Sequence, residues 1–217
     1  HPLERLMFKQ SVKYPNADKW DKALNGFVAS VTKSLHNKNQ LVMVNRTNVR
    51  LKSGEKAWLD LDAMNDAPDV IMEEGAFAVS WGEGDVQFYS FDEWKRQMEA
   101  PGKIKKSSVA LLSHTDLRPG ENGKDSDGRP VSFDQIFSYS LGSYLLAKNE
   151  NGYRTLFSFD YARKDGDYKR ISWIDIFGEL DLGEALGSAR IVNDKYNRVY
   201  MREFQKGYVY VNPTDNT

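Results

Sequence analysis

The feature that most constrains this chain is a pair of elements met four times in succession, an amphipathic helical stretch followed by a short apolar strand. Between Pro15 and Asn48, residues Trp20, Leu24, Phe27, Val28, Val31 and Leu35 recur at helical spacing. Asn16 or Asp18 supplies the cap, and the strand "QLVMV" follows and stops at Asn45. "GEKAWLDLDAMNDAP" reads as a helical or irregular stretch ahead of the strand "DVIMEEG". "SFDEWKRQMEA" puts Phe91, Trp94 and Met98 on one helix face ahead of "SSVALLSHTD", and "SFDQIFSYSLGSYLLAKN" precedes "YRTLFSFDY". Near-continuous apolar strands between helices predict an α/β fold of parallel βα units, with a sheet buried on both faces.

The end of the chain breaks this rhythm. "RVYMREFQKGYVYVNPTDN" predicts two strands around "QKG", a C-terminal β-hairpin over residues 196–213. The βα part spans 15–190, and no composition shift divides the chain, so one domain over 1–217 is expected. "GENGKDSDG", residues 120–128, reads as a mobile surface loop, and its acids lack the spacing and final glutamate of an EF-hand.

Charge and composition remove several function classes. The chain has 30 Lys and Arg against 31 Asp and Glu and no basic block, so no nucleic-acid partner is expected. No apolar run approaches the roughly 20 residues of a membrane span, and "HPLERLMFKQ" lacks the order of a signal peptide. The absence of cysteine excludes disulfides and thiolate chemistry. Three histidines lie far apart, and neither a P-loop, a G-x-G-x-x-G helix start, a nucleophile elbow nor H-E-x-x-H occurs. Neither a metal nor a cofactor is expected, which leaves carboxylates as the main enzymatic option.

Polar residues follow every apolar strand: Asn45, then Glu73 and Glu74, then His114 and Asp116, then Asp160. In parallel βα proteins, chemistry sits at these carboxyl ends, where loops converge on one face. Glu73 and Glu74 are adjacent on an extended backbone, so one points into the mouth and the other outward to a partner such as Arg46 or Arg202. Gly75 lets the chain turn sharply after them. Aromatic residues in loop-like stretches, Trp81, Phe88, Tyr89, Tyr161 and Tyr168, suit stacking on ring-shaped ligands.

The order of these segments resembles a known group. "VMVN", "DVIMEEG" with an aromatic loop after it, "FDEW", "SYSLGSYLL" with "FSFD", "DLGEALG" and "VYMREFQKGYVYVNPT" look like the C-terminal half of TIM-barrel glycoside hydrolases. The pattern is similar to glycoside-hydrolase-like family 15, related to the polygalactosaminidases. The resemblance runs from Pro15 onward and implies a (β/α)8 barrel in which these strands are the fifth to the eighth. It implies a hydrolase acting on a polysaccharide or oligosaccharide, with an extracellular or periplasmic location.

On that resemblance Glu74 is the acid or base, Glu73 its reserve and Asp160 the second carboxylate. Asn45, His114 and Asp116 would hydrogen-bond sugar hydroxyls, with Trp81 or Tyr161 stacking on a ring. The family's other acid, at the end of the fourth strand, has no counterpart in residues 1 to 14. Three expectations stay open: a fragment of a longer barrel, a half-barrel completed by a partner such as a second copy, or a reduced and inactive form. A non-catalytic carbohydrate-binding or assembly protein on the same scaffold is therefore the alternative function.

Overall fold

The structure is a computed structural model that describes residues 16–80, 85–149, 155–162, 168–171, 180–193 and 198–213. Helix α1 (Ala17–His36) starts where Asn16 accepts a hydrogen bond from the Lys19 amide at 3.0 Å, a conventional N-cap. It leads into β1 (Met43–Asn45), then α2 (Lys52–Asp62) and β2 (Val70–Val79). The stretch that reads as helical or irregular is thus helical from Lys52. Next come β3 (Gln87–Phe88), α3 (Phe91–Lys103) and β4 (Ser108–Thr115), with Ser90 and Glu93 forming a capping box at the start of α3. A second capping box, Ser132 with Gln135, opens α4 (Phe133–Ala147), which precedes β7 (Thr155–Ala162) and β8 (Tyr168–Ile171).

Strands β1, β2, β4 and β7 pair in parallel in that order, as the alternation of helix and strand predicts. Strand β8 adds antiparallel at the edge of β7, and β3 pairs antiparallel with the end of β2. The region read as a mobile loop, 120–128, holds β5 (Asn122–Lys124) and the turn of a small hairpin that β6 (Pro130–Ser132) completes. Asp125 stabilises its turn by accepting from the amides of Asp127 and Arg129, an Asx-type arrangement that outweighs the absence of apolar side chains. The C-terminal hairpin is present as β10 (Val199–Phe204) and β11 (Gly207–Val211), joined by β9 (Arg190–Asn193) into a separate antiparallel sheet.

Residues paired in register share a face of the sheet. On one face Ile71, Val109 and Leu111 pack against Trp58 and Leu61 of α2, Trp94 and Met98 of α3, and Tyr144 and Leu145 of α4. Between those last two helices the Trp94 indole donates to Ser143 Oγ at 2.8 Å. The opposite face carries Met43, Met72, Ala110 and Leu156, and there the expectation of burial on both sides fails among the described residues. Met43 is 61% exposed and Leu156 49% exposed, with Leu41 just before β1 at 83%. Helices α2, α3 and α4 cover one face, and among the described residues the other is left open along Met43 and Leu156.

The C-terminal sheet docks on the outer side of α4. A Cβ at Gly142 would stand 2.9 Å from Val211 Cγ2, so the absent side chain lets helix and strand meet. Arg202 is buried there and donates to the carbonyls of Leu145, Leu146, Lys148 and Gly187. Three of those carbonyls lie at the end of α4, where a helix has unsatisfied acceptors and favours a cation.

Candidate active site

Glu73 and Glu74 end the regular part of β2 on opposite faces, and their surroundings differ completely. Glu73, at 0% exposure, lies on the helix side and accepts from the backbone amides of Val49 at 2.8 Å and Asn48 at 3.0 Å. Burial pushes its carboxyl up to about 7 even though those amides and the Arg50 charge pull it down. Its partners are therefore the β1–α2 loop and not Arg46 or Arg202: Arg46 pairs with Asp21, and Arg202 caps α4. Glu74 lies on the open face, partly exposed, and accepts from Asn45 Nδ2 at 2.6 Å. Asn45 and Glu74 come from neighbouring strands, so parallel pairing brings the two side chains together.

Just past Glu74 the strand departs from regular pairing. Glu74 pairs with Leu112 and Val79 with His114, so five residues of β2 advance against two of β4. This large bulge turns through positive φ at Gly75 (89°) and at Phe77 (63°), the latter strained for a bulky residue. Three buried groups hold it: Tyr89 OH donates to the Gly75 carbonyl at 2.8 Å, Ser113 Oγ to the Ala76 carbonyl at 2.6 Å, and the Phe77 amide to Gln97 Oε1 at 2.7 Å. Burial pushes the Tyr89 phenol up to about 12, so it stays a hydrogen-bond donor at any working pH. Backbone strain of this kind gathers at functional sites.

The same face continues to the end of the sheet, where Leu112 and His114 are buried, at 8% and 3% exposure. His114 and Asp160 are register partners one row beyond Leu112 and Ser158, on the same face as Glu74. The Ser80 carbonyl can only accept, so His114 Nδ1 carries the proton and donates to it, which fixes the tautomer. Asp160 Oδ1 accepts from Ser158 Oγ at 3.4 Å, and Asp116 is held through its amide, which donates to Ser80 Oγ at 2.8 Å. Asn45, Glu74, His114 and Asp160 thus share one face and one end of the sheet. Tyr161 does not: it pairs with Thr115 on the helix side and packs edge-on against Phe133 at 5.5 Å, which removes it as a stacking platform for this face. Trp81 and the side chain of Tyr168 lie outside the described residues.

Sequence reasoning missed Ser158 and Gln97, and read Tyr89 as a stacking ring where its hydroxyl ties down the bulge. Ser158 stands two residues before Asp160, and that period of two is the signal that could have found it. Tyr89 and Gln97 act on the bulge from distant segments, and no local pattern announces them. Among the described residues no group of three or more His, Asp or Glu side chains could hold a metal ion, and no helix is long and apolar enough to cross a membrane.

No curated protein and no solved structure matches the chain. Residues 5–208 match a family model, and with so much of its length covered the chain belongs to hypothetical glycosyl hydrolase family 15.

Proposed function

We propose that the chain is a glycoside hydrolase in which Glu74 is the acid or base acting on a polysaccharide or oligosaccharide. One observation carries the reading. Of two adjacent glutamates at a strand end, Glu73 is taken up by backbone amides while Glu74 stands on the open face beside Asn45. Asn45 donates to one Glu74 oxygen and leaves the other for a substrate hydroxyl or leaving oxygen. Asp160, two strands across and two residues further along, is the second carboxylate within the chain. Standard spacings put the two Cα atoms roughly 12 Å apart. That span suits the wider inverting arrangement, with carboxyls about 6.5–9.5 Å apart and a water between, better than a close retaining pair. Asp116, partly exposed, supplies a further polar group for sugar hydroxyls, and His114, buried beside it, holds the Ser80 carbonyl.

The open face also bears on architecture. Parallel sheets are ordinarily covered on both sides, and four parallel strands with helices on one side are half of a (β/α)8 barrel. In this reading the exposed Met43 and Leu156 belong to a barrel interior, closed by further strands or by a second copy. The non-catalytic alternative keeps Glu74 and Asn45 as sugar-binding groups on the same open face. Measuring reducing ends released from polysaccharides of galactosamine, galactose or glucose decides between them. Release that disappears in Glu74→Gln supports the hydrolase. Glycan binding without release by the wild type supports the binding protein.

A further inference from the structure

A cleft of about 450 Å³ opens at the same end of the sheet, on the helix side and away from Glu74. Its walls come from four separate segments: Phe88 at the end of β3 with Tyr89 after it, the turn of the β5–β6 hairpin with Asp127 and Arg129, Tyr139 on α4, and the residues past the end of β11. The cleft is neither an apolar groove nor a charged patch. Phe88 and Tyr139 pack edge-to-face at 5.1 Å and give it an aromatic wall, while Asp127 and Arg129, 3.8 Å apart and exposed, give it a polar rim. Asn212, past the end of β11, adds an amide to that rim.

An apolar ring face beside a rim of fixed donors and acceptors is complementary to a pyranose, whose C–H face is apolar and whose edge is a ring of hydroxyls. The cleft is also physically joined to the candidate active site. Tyr89 forms part of its wall, and the hydroxyl of that same residue holds the Gly75 carbonyl directly behind Glu74. We propose that this cleft is a second glycan subsite, binding a sugar unit of an oligosaccharide at a distance from Glu74. The proposal rests on the carbohydrate reading above and extends it to residues that reading does not use.

The test is titration of the full chain with hexasaccharides of galactosamine, galactose and glucose, followed by amide chemical shifts and by calorimetry. The expected result is that at least one hexasaccharide shifts the amides of residues 125–131. Arg129→Ala, on the exposed hairpin where folding is not at stake, and Tyr139→Leu should each weaken that binding roughly tenfold. Glu74→Gln should leave the shifts at 125–131 in place. Unchanged affinity in both cleft variants, shifts confined to other residues, or no binding of any hexasaccharide at millimolar concentration would overturn the subsite. Its failure is separable from that of the hydrolase: cleft binding without reducing-end release removes only the hydrolase, and release with an unresponsive cleft removes only the subsite.

Discussion

The two faces of the parallel sheet are built from the same strands, residue by alternate residue, yet they are different environments. Ile71, Glu73, Val109 and Leu111 lie under three helices and are sealed from water, while Met43, Met72 and Leu156 on the other face meet solvent. Glu73 and Glu74 make the comparison at a single peptide bond. The first spends both oxygens on backbone amides and serves as a structural tie between β2 and the loop after β1. The second keeps an oxygen for something else. Chemistry at a strand end therefore depends less on the residue type than on which face the register gives it.

Four measurements would break or sharpen this contrast. Glu74→Gln is isosteric on the open face, so activity on the cleaved glycan should fall about a thousandfold while the melting temperature hardly moves. A comparable loss from a variant of Glu73 that still folds would mean the two roles are reversed. Next, Leu111→Ala on the covered face removes buried methyl groups and leaves a cavity, and should cost about 3 to 4 kcal/mol in denaturant unfolding.

The third measurement concerns pH. Burial holds Glu73 protonated up to about 7 in the folded chain, against 4.5 for its ordinary value. A raised carboxyl of this kind contributes stability that is fully present below 4.5 and is lost as pH rises to 7, about 3 kcal/mol in all. Urea unfolding followed across that window should show the decline, and Glu73→Gln should flatten it. The smallest effect belongs to Met43→Ala on the open face, below about 0.5 kcal/mol if water is its neighbour. A cost equal to that of Leu111→Ala would show the face to be covered in solution, and sedimentation would then tell whether a second copy covers it.

Much of the covered half was legible in the sequence. Helical spacing marked Trp20 to Leu35, Phe91 to Met98 and Ile136 to Leu145, and the apolar runs between them are the parallel strands. The hairpin at the end was equally clear, because "QKG" between alternating aromatic residues is a local signal. What escaped was set by contacts between distant segments. Nothing near Gly75 announces a bulge of three extra residues, since it is held by Ser113, Gln97 and Tyr89 from three other segments. Asp62 is a similar case. At the end of α2 it is buried and accepts from the amides of Lys105, Lys106 and Ser107, fixing the turn into β4 across more than forty residues of sequence. Burial pushes its carboxyl up, and the amides of Lys105, Ser107 and Lys106 more than offset this, leaving it below its ordinary value. In the candidate site, strand order brought Asn45, Glu74, His114 and Asp160 to one face, whereas the orientation of Tyr161 depended on register and turned the other way.

The contact between Arg202 and the end of α4 has a bearing on how the molecule comes apart. Its guanidinium is the cap of a helix that lies far away in sequence, and Gly142 lets Val211 close the same seam. The last turn of α4 and the terminal hairpin are consequently one cooperative unit, opening and closing together. Tyr139 belongs to that helix and Asn212 follows that hairpin, so partial unfolding that begins at the end of the chain would dismantle the cleft while the parallel sheet, and Glu74 with it, stayed folded.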